Sequence, residues 1–279
     1  MHRYFVYDVF TETRFGGNQL AVFPEAESIP EAELQSIAAE FNFSEVTFVY
    51  PPENRDHTAR LRIFTPTMEV PFAGHPTIGS AKALAELGHG PEMVLELGIG
   101  PLPCTAGPHG ARFTTSAPLE RLANPDPALV ARALGLAVDQ IDQSAHAPTL
   151  ASVGLPFTLT ALKTRADLAA CQTDMAAFRD GAKAHPEGLD FAQFAYIREG
   201  DTIHARMFAP LDNIPEDPAT GSACAALAAF LCDLDGAPLS VTVHQGEDMG
   251  RSSLIHLTAN GERVTVAGQA VRVMEGSLL

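Results

Sequence analysis

Residues Asp217 to Ala223 read DPATGSA, and residues His75 to Ala81 read HPTIGSA. The flanks of the two stretches repeat as well. Arg62-Ile-Phe-Thr-Pro66 precedes one copy and Arg206-Met-Phe-Ala-Pro210 the other; Val70-Pro71 and Ile214-Pro215 follow. Subtraction gives 206 − 62 = 144 for the upstream blocks and 217 − 75 = 142 for the motifs. Phe48-Val-Tyr50 is echoed by Phe194-Ala-Tyr196 at an offset of 146, and Gly17 to Val22 by Gly154 to Leu159 at 137. Four matches in one order, at offsets near half the chain, identify a duplicated unit. The expected organisation is two α+β repeats, residues 1–117 and 118–279, with a tail from about 266 to 279 able to pack back on the first.

The chain has 279 residues, enough for each half to bury its own core. Its 46% hydrophobic and 19% charged content is that of an ordinary globular protein. The opening Met1 to Phe10 reads as a strand rather than a signal peptide, and no apolar run reaches the ~20 residues of a membrane helix. The four cysteines (Cys104, Cys171, Cys224, Cys232) form no CxxC pair, so the expected setting is a reducing cytoplasm. A net charge of −16 argues against nucleic acid as a partner. It leaves room for a small anionic ligand in a locally positive site. The sequence contains no dinucleotide or phosphate-loop motif, no HExxH and no GxSxG, and its ten histidines show no metal-ligand spacing. The expectation is no cofactor and no metal.

Strands are predicted at Tyr4–Val9, Leu20–Phe23, Val46–Tyr50 and Ala59–Phe64, with helices at Pro30–Phe41 and Thr77–Leu87. The second half repeats the pattern: a helix near Leu168–Arg179, strands near Phe191–Ile197 and His204–Phe208, and a helix over Ala219–Leu231. A proline-rich linker is expected at Ser116–Pro127. Each half becomes a curved sheet or barrel around one central helix.

The duplicated motif is the strongest candidate for chemistry. Each copy places Pro near a helix start and follows it with small residues and Gly-Ser-Ala. Free N–H groups and about half a unit of positive charge gather at such an end. Two ends facing one cleft would hold a carboxylate. Capping alone would account for Asp217, a good N-cap type. It does not account for His75, a poor cap in the same slot.

Further stretches join these motifs in a resemblance. Asn42-Phe-Ser-Glu-Val-Thr-Phe-Val49, Phe72-Ala-Gly-His-Pro-Thr-Ile-Gly79 and Glu216-Asp-Pro-Ala-Thr-Gly-Ser-Ala223 resemble the signatures of the phenazine-biosynthesis PhzF-like isomerases. So do Asp8-Val-Phe-Thr11, Gly17 to Val22, and Gln245-Gly-Glu-Asp-Met-Gly-Arg251; Ser252 departs from the usual proline. The resemblance covers nearly the whole chain. It implies the diaminopimelate-epimerase-like fold, a homodimer, and an active site between two pseudo-symmetric halves. Epimerases of that fold carry a cysteine at each helix start; here the slots hold Gly74-His75 and Asp217, so two-thiol chemistry is excluded.

By residue type alone, a glutamate opening a strand is a solvated side chain. The resemblance instead implies that Glu45 is the acid/base, with Asp217 and His75 positioning substrate and steering protons. It further implies Gly74, Ser222, Gly221, Thr220 and Asn18 as substrate-binding residues. The expected activity is a cofactor-independent isomerisation that moves a proton and a double bond on a small carboxylic acid. Two alternatives stand beside it: a two-base epimerase or racemase using Glu45 and Asp217, and a carboxylate-binding protein without turnover.

Overall fold

The computed structural model describes every residue of the chain except His109 and Glu262. Strand β1 (His2–Val9) pairs antiparallel with β2 (Asn18–Phe23). Helix α1 (Leu34–Phe41) then carries the chain to β3 (Glu45–Tyr50), parallel to β2. Strand β4 (Ala59–Phe64) returns antiparallel, with the short β5 (Glu69–Val70) on its end. Helix α2 (Gly74–Glu86) follows, and β6 (Glu92–Leu97), β7 (Gly100–Gly107) and β8 (Gly110–Thr115) continue the curl.

The second half repeats this order. After β9 (Glu120–Ala123) and α3 (Pro127–Ala133) come β10 (Thr149–Ser152) and β11 (Pro156–Ala161). Helices α4 (Arg165–Ala169) and α5 (Met175–Ala184) lead to β12 (Gln193–Glu199), β13 (Thr202–Ala209) and β14 (Ile214–Asp217). Helix α6 (Gly221–Asp235) and strands β15 (Leu239–Gln245), β16 (Ser253–Asn260), β17 (Arg263–Gly268) and β18 (Ala270–Leu278) complete the chain. This is the expected α+β architecture of two curled sheets, each around one helix. The sheets join edge to edge where β8 pairs with β17. Their first strands each receive a strand from the other end: β18 pairs with β1, and β9 with β10.

Periodicity explains the layering. Strand β16 alternates buried and exposed residues from Ser253 to Asn260, as a sheet with one wet face must. Helix α6 is buried from Gly221 to Cys232 without a polar stripe, so the sheet surrounds it. Residues of α2, α6 and both sheets share one hydrophobic core.

Four local expectations need correction. The proline-rich linker contains β9, because Glu120 to Ala123 finds the free edge of β10. The helix expected over Leu168–Arg179 is two helices, since the Asp174 carboxylate caps Ala176 and Ala177 and starts a new one. Asp217 is not a cap: it ends β14, and Thr220 occupies the position before α6, without a side-chain cap bond. The repeat register also shifts. Ile63 pairs with Val70 and Met207 with Asp217, so Val70 and Asp217 are structural equivalents at 217 − 70 = 147. The same offset of 221 − 74 = 147 relates the first residues of α2 and α6. His75 is therefore matched in space by Ser222. The Gly-Ser-Ala letters repeat five residues out of register, since 147 − 142 = 5.

The two helix starts touch through their glycines. A Cβ on Gly74 would lie 2.4 Å from the Gly221 carbonyl carbon and 2.5 Å from the Ser222 nitrogen. Backbone atoms cannot step aside as a side-chain tip can. Gly74→Ala should therefore lower stability by at least about 1–3 kcal/mol. Gly90→Ala, where a Cβ meets nothing within 4 Å, should stay within about 0.5 kcal/mol of the wild type. Urea midpoints measure both, and equal midpoints would show that the helix starts are not in backbone contact.

Candidate active site

Glu45 opens β3, and its side chain is only 14% exposed. Its Oε2 lies 3.3 Å from Nδ1 of His75, the second residue of α2. His75 is buried, and its Nε2 lies 3.2 Å from the Gln19 carbonyl. A carbonyl can only accept, so Nε2 carries the hydrogen and Nδ1 presents a lone pair. Burial holds the His75 pKa down at about 3, so the ring is neutral.

Asn18 packs against the same ring. Its Nδ2 is 2.8 Å from Asp217 Oδ1, 3.0 Å from the Ala219 carbonyl and 3.2 Å from His75 Nδ1. An amide nitrogen has two hydrogens, and the two shorter contacts claim them. His75 Nδ1 is left facing Glu45, whose Oε2 is enclosed and accepts no hydrogen bond. Two lone pairs would then oppose each other. A proton on Glu45 resolves the conflict by bridging Oε2 to Nδ1. The electrostatics agree: burial first, then the Asp217 and Asp212 carboxylates, raise the Glu45 pKa well above the usual glutamate range.

Asp217 is likewise buried. It accepts hydrogen bonds from Asn18, from Ser44 Oγ and from Thr220 Oγ1. Burial nevertheless raises its pKa. Behind it stands Gln245, fully buried on β15. Gln245 Nε2 donates to the Asp217 carbonyl at 2.8 Å and to Thr220 Oγ1 at 2.9 Å, while its Oε1 accepts from the Thr220 N–H at 3.1 Å. That bracket sets the turn from which α6 starts. Ser44 and Gln245 are absent from the sequence-derived site, although both lie in the quoted motifs. Nothing in the letters tells a turn-locking Gln from a strand residue.

A cavity of about 60 Å³ adjoins this network. Glu45, Thr220 and Ser222 line it; so do Asp190, Asp212, Thr65 and the apolar Val70, Phe157 and Met207. His75, Asn18 and Asp217 stand one layer behind the wall, and Gly74 and Gly221 form the helix crossing. The position structurally equivalent to Glu45 is Ala192, by the register of β3 and β12 on β4 and β13. Side-chain hydrogen bonds tie the two halves together next to this cavity. Thr65 and Thr67 both donate to Asp212, and Asn213 donates to Asn42. A larger cavity of about 840 Å³, between Phe10–Gly16 and β8 and β17, includes neither Glu45 nor His75. Volume alone does not locate the chemistry.

The loop before Asn18 is fixed from the second half. Arg251 donates to Asp8 Oδ1 at 2.8 Å, to the Gly16 carbonyl at 2.7 Å and to the Gly17 carbonyl at 2.8 Å. Ser252 accepts from the Gly17 N–H at 3.2 Å with its carbonyl, a role that a proline could also fill.

The neutral buried His75 has a consequence for stability. Its folded pKa lies below its unfolded value, 6.5 falling to about 3. Below pH 6.5 the unfolded chain binds the proton that the folded chain refuses, so this contribution to stability is lost as pH falls toward 3. His75→Asn should flatten that decline. The difference between the two unfolding free energies, followed by urea titration from pH 7 to pH 4, should shrink on acidification; a constant difference would mean that His75 is protonated in the fold.

Two curled halves, each around one helix whose start meets the other's, define the epimerase-like fold class. A probable proline racemase of Agrobacterium radiobacter shares that fold at TM-score 0.65 and 16% identity, covering 100% of this chain and 93% of its own. More specifically, the phenazine biosynthesis-like protein family matches residues 7–276, and the chain belongs to it. An uncharacterized isomerase of Mesorhizobium japonicum is 38% identical over 99% of this chain and 98% of its own. The trans-2,3-dihydro-3-hydroxyanthranilate isomerase of Pseudomonas aeruginosa is 32% identical over 99% of each. A Bacillus anthracis structure of the PhzF family superposes at TM-score 0.85 with 24% identity, over 100% of this chain and 99% of its own.

Proposed function

We propose that this isomerase of the phenazine biosynthesis-like family shifts a proton and a double bond on a small carboxylic acid, with Glu45 as the single acid/base. The observation that carries this reading is the Glu45–His75 contact. A carboxyl with a strongly raised pKa faces both a neutral imidazole lone pair and a cavity. Once its resting proton has passed to solvent, the carboxylate of such a group is a strong base. It can take a proton from one carbon and, as the acid so formed, return it to another carbon of the bound substrate. His75, held in one tautomer by the Gln19 carbonyl, accepts the Glu45 hydrogen bond without taking the proton outright.

Helix starts supply the substrate's anchor. The first-turn N–H groups of α6 at Gly221 and Ser222, and of α2 at Gly74 and His75, lack intrahelical acceptors and bring positive field to the cleft. A carboxylate seated there would lie beside Ser222 and Thr220 with its adjacent carbon toward Glu45. Asp217 supports the site by holding Asn18, Ser44 and Thr220. Those three hydrogen bonds and its place behind the wall weigh against the two-base racemase reading. The Thr65–Asp212 hydrogen bond lies at this cavity, since both residues line it, and opening it would widen the space available to a substrate. The reaction runs on protein groups alone, in a protein with an expected cytoplasmic setting and an expected homodimeric state.

The relative's substrate, trans-2,3-dihydro-3-hydroxyanthranilate, is the first compound to test. Turnover in D₂O should shift the absorbance as the double bond moves, with deuterium reaching the receiving carbon only to the extent that the Glu45 acid exchanges with solvent before it returns the proton. Exchange at one carbon with inversion and no absorbance change would instead establish a racemase. Binding with neither exchange nor an absorbance change would establish a carboxylate-binding protein.

A further inference from the structure

Away from the cleft, the sheet assembles a cluster that the sequence spacing hides. His204 on β13 and His244 on β15 are register partners on adjacent parallel strands, so their side chains leave the same face. Their ring centroids are 5.0 Å apart. Just past β15 the chain makes a tight turn over Glu247–Met249, which folds Glu247 back over the pair. Its Oε2 lies 2.9 Å from His204 Nδ1 and its Oε1 3.9 Å from His244 Nδ1. One ligand atom from each of the three residues falls within 4.8 Å of the others.

We propose that His204, His244 and Glu247 form a surface binding site for a zinc-type divalent ion. Two imidazoles and one carboxylate are the donor set that borderline metals of this kind select, with water completing a tetrahedron. Metal–ligand bonds of about 2.0–2.2 Å place neighbouring donors roughly 3.3–3.6 Å apart. The observed separations straddle that range, so small side-chain rotations close the site. Histidine pairing across strands and the returning turn are both set by backbone, which lowers the entropy lost on binding.

Two arginines frame the cluster. Arg165 Nη2 lies 3.0 Å from Glu247 Oε2 and competes for the carboxylate, whereas Arg206 is paired with Glu216 and lies 3.8 Å from Asp248. A bound ion must displace Arg165 from Glu247. The cluster shares no residue with the Glu45 network but adjoins it along the chain. His244 adjoins Gln245, which brackets Asp217 and Thr220, and Glu247 shares its turn with the approach to Arg251. A metal here would tie β13, β15 and that turn together.

Calorimetric titration of the full chain with Zn²⁺ tests this. Saturable one-to-one binding and a rise in melting temperature with metal concentration are expected, while Mg²⁺ should give neither. His204→Gln with His244→Gln should weaken Zn²⁺ binding at least tenfold. Arg165→Gln should tighten it, because the competitor for Glu247 is gone. Should the double-histidine variant fold poorly, the Arg165→Gln titration decides alone. No saturable binding by the wild type, equal binding by the histidine variant, or no tightening in Arg165→Gln would each overturn the site.

Discussion

Glu45→Gln should turn substrate over about 10²–10⁴-fold more slowly than the wild type, the range typical of losing a general acid or base. The amide keeps the shape of the side chain and can donate one N–H to His75 Nδ1, so the buried contact at 3.3 Å survives. What it lacks is a proton that can leave and return. Stability should change little, because burial and then the nearby Asp217 and Asp212 carboxylates already disfavour a charge on the replaced carboxyl. A substrate analogue should bind as well or better, since no charge can develop beside its carboxylate. Initial rates with the dihydro-hydroxyanthranilate, together with deuterium incorporation, read the effect. Near wild-type turnover in this variant would remove Glu45 from the mechanism and return attention to Asp217.

Arg251→Met should cost about 3–5 kcal/mol of stability. The reason lies less in the lost ion pair than in what stays behind. Asp8 is buried, and its carboxylate keeps only the Phe15 N–H once Arg251 is gone. Removing one partner of a buried pair leaves an uncompensated charge, which is costly. Gly16 and Gly17 also lose the donor that fixes their carbonyls, and Asn18 follows directly in the chain. Activity should therefore fall together with stability. The double variant with Asp8→Asn should recover part of the loss, because the stranded charge is then absent. If the double variant is no more stable than Arg251→Met, packing of the long side chain dominates and the charge argument fails. Chemical denaturation of the three variants separates these cases.

How much of this was legible in the letters depends on the range of the physics involved. Duplication, the α+β class and two central helices follow from local patterns: repeated blocks, alternating apolar residues in strands, and small residues where helices cross. Glu45, His75 and Asp217 were singled out by motif resemblance, and the fold brings the three into one contact network. Three things were not legible. The repeat register shifts by five residues between the matched letters and the matched helix starts, since a loop can lengthen on one side of a motif without altering the motif. Asp217 reads as a helix cap by residue type, yet its neighbours in space are Asn18 and Ser44, 199 and 173 residues away in sequence. Gln245 reads as any strand residue until it is found buried against the α6 turn. The sequence by itself determined which side chains exist near each helix start and which way each strand faces. The tertiary structure alone decided which of them meet, that Glu45 faces His75, and that His204 and His244, 40 residues apart (244 − 204), stand side by side. Hydrogen bonding, desolvation and metal coordination act over a few ångströms, and only folding sets those distances.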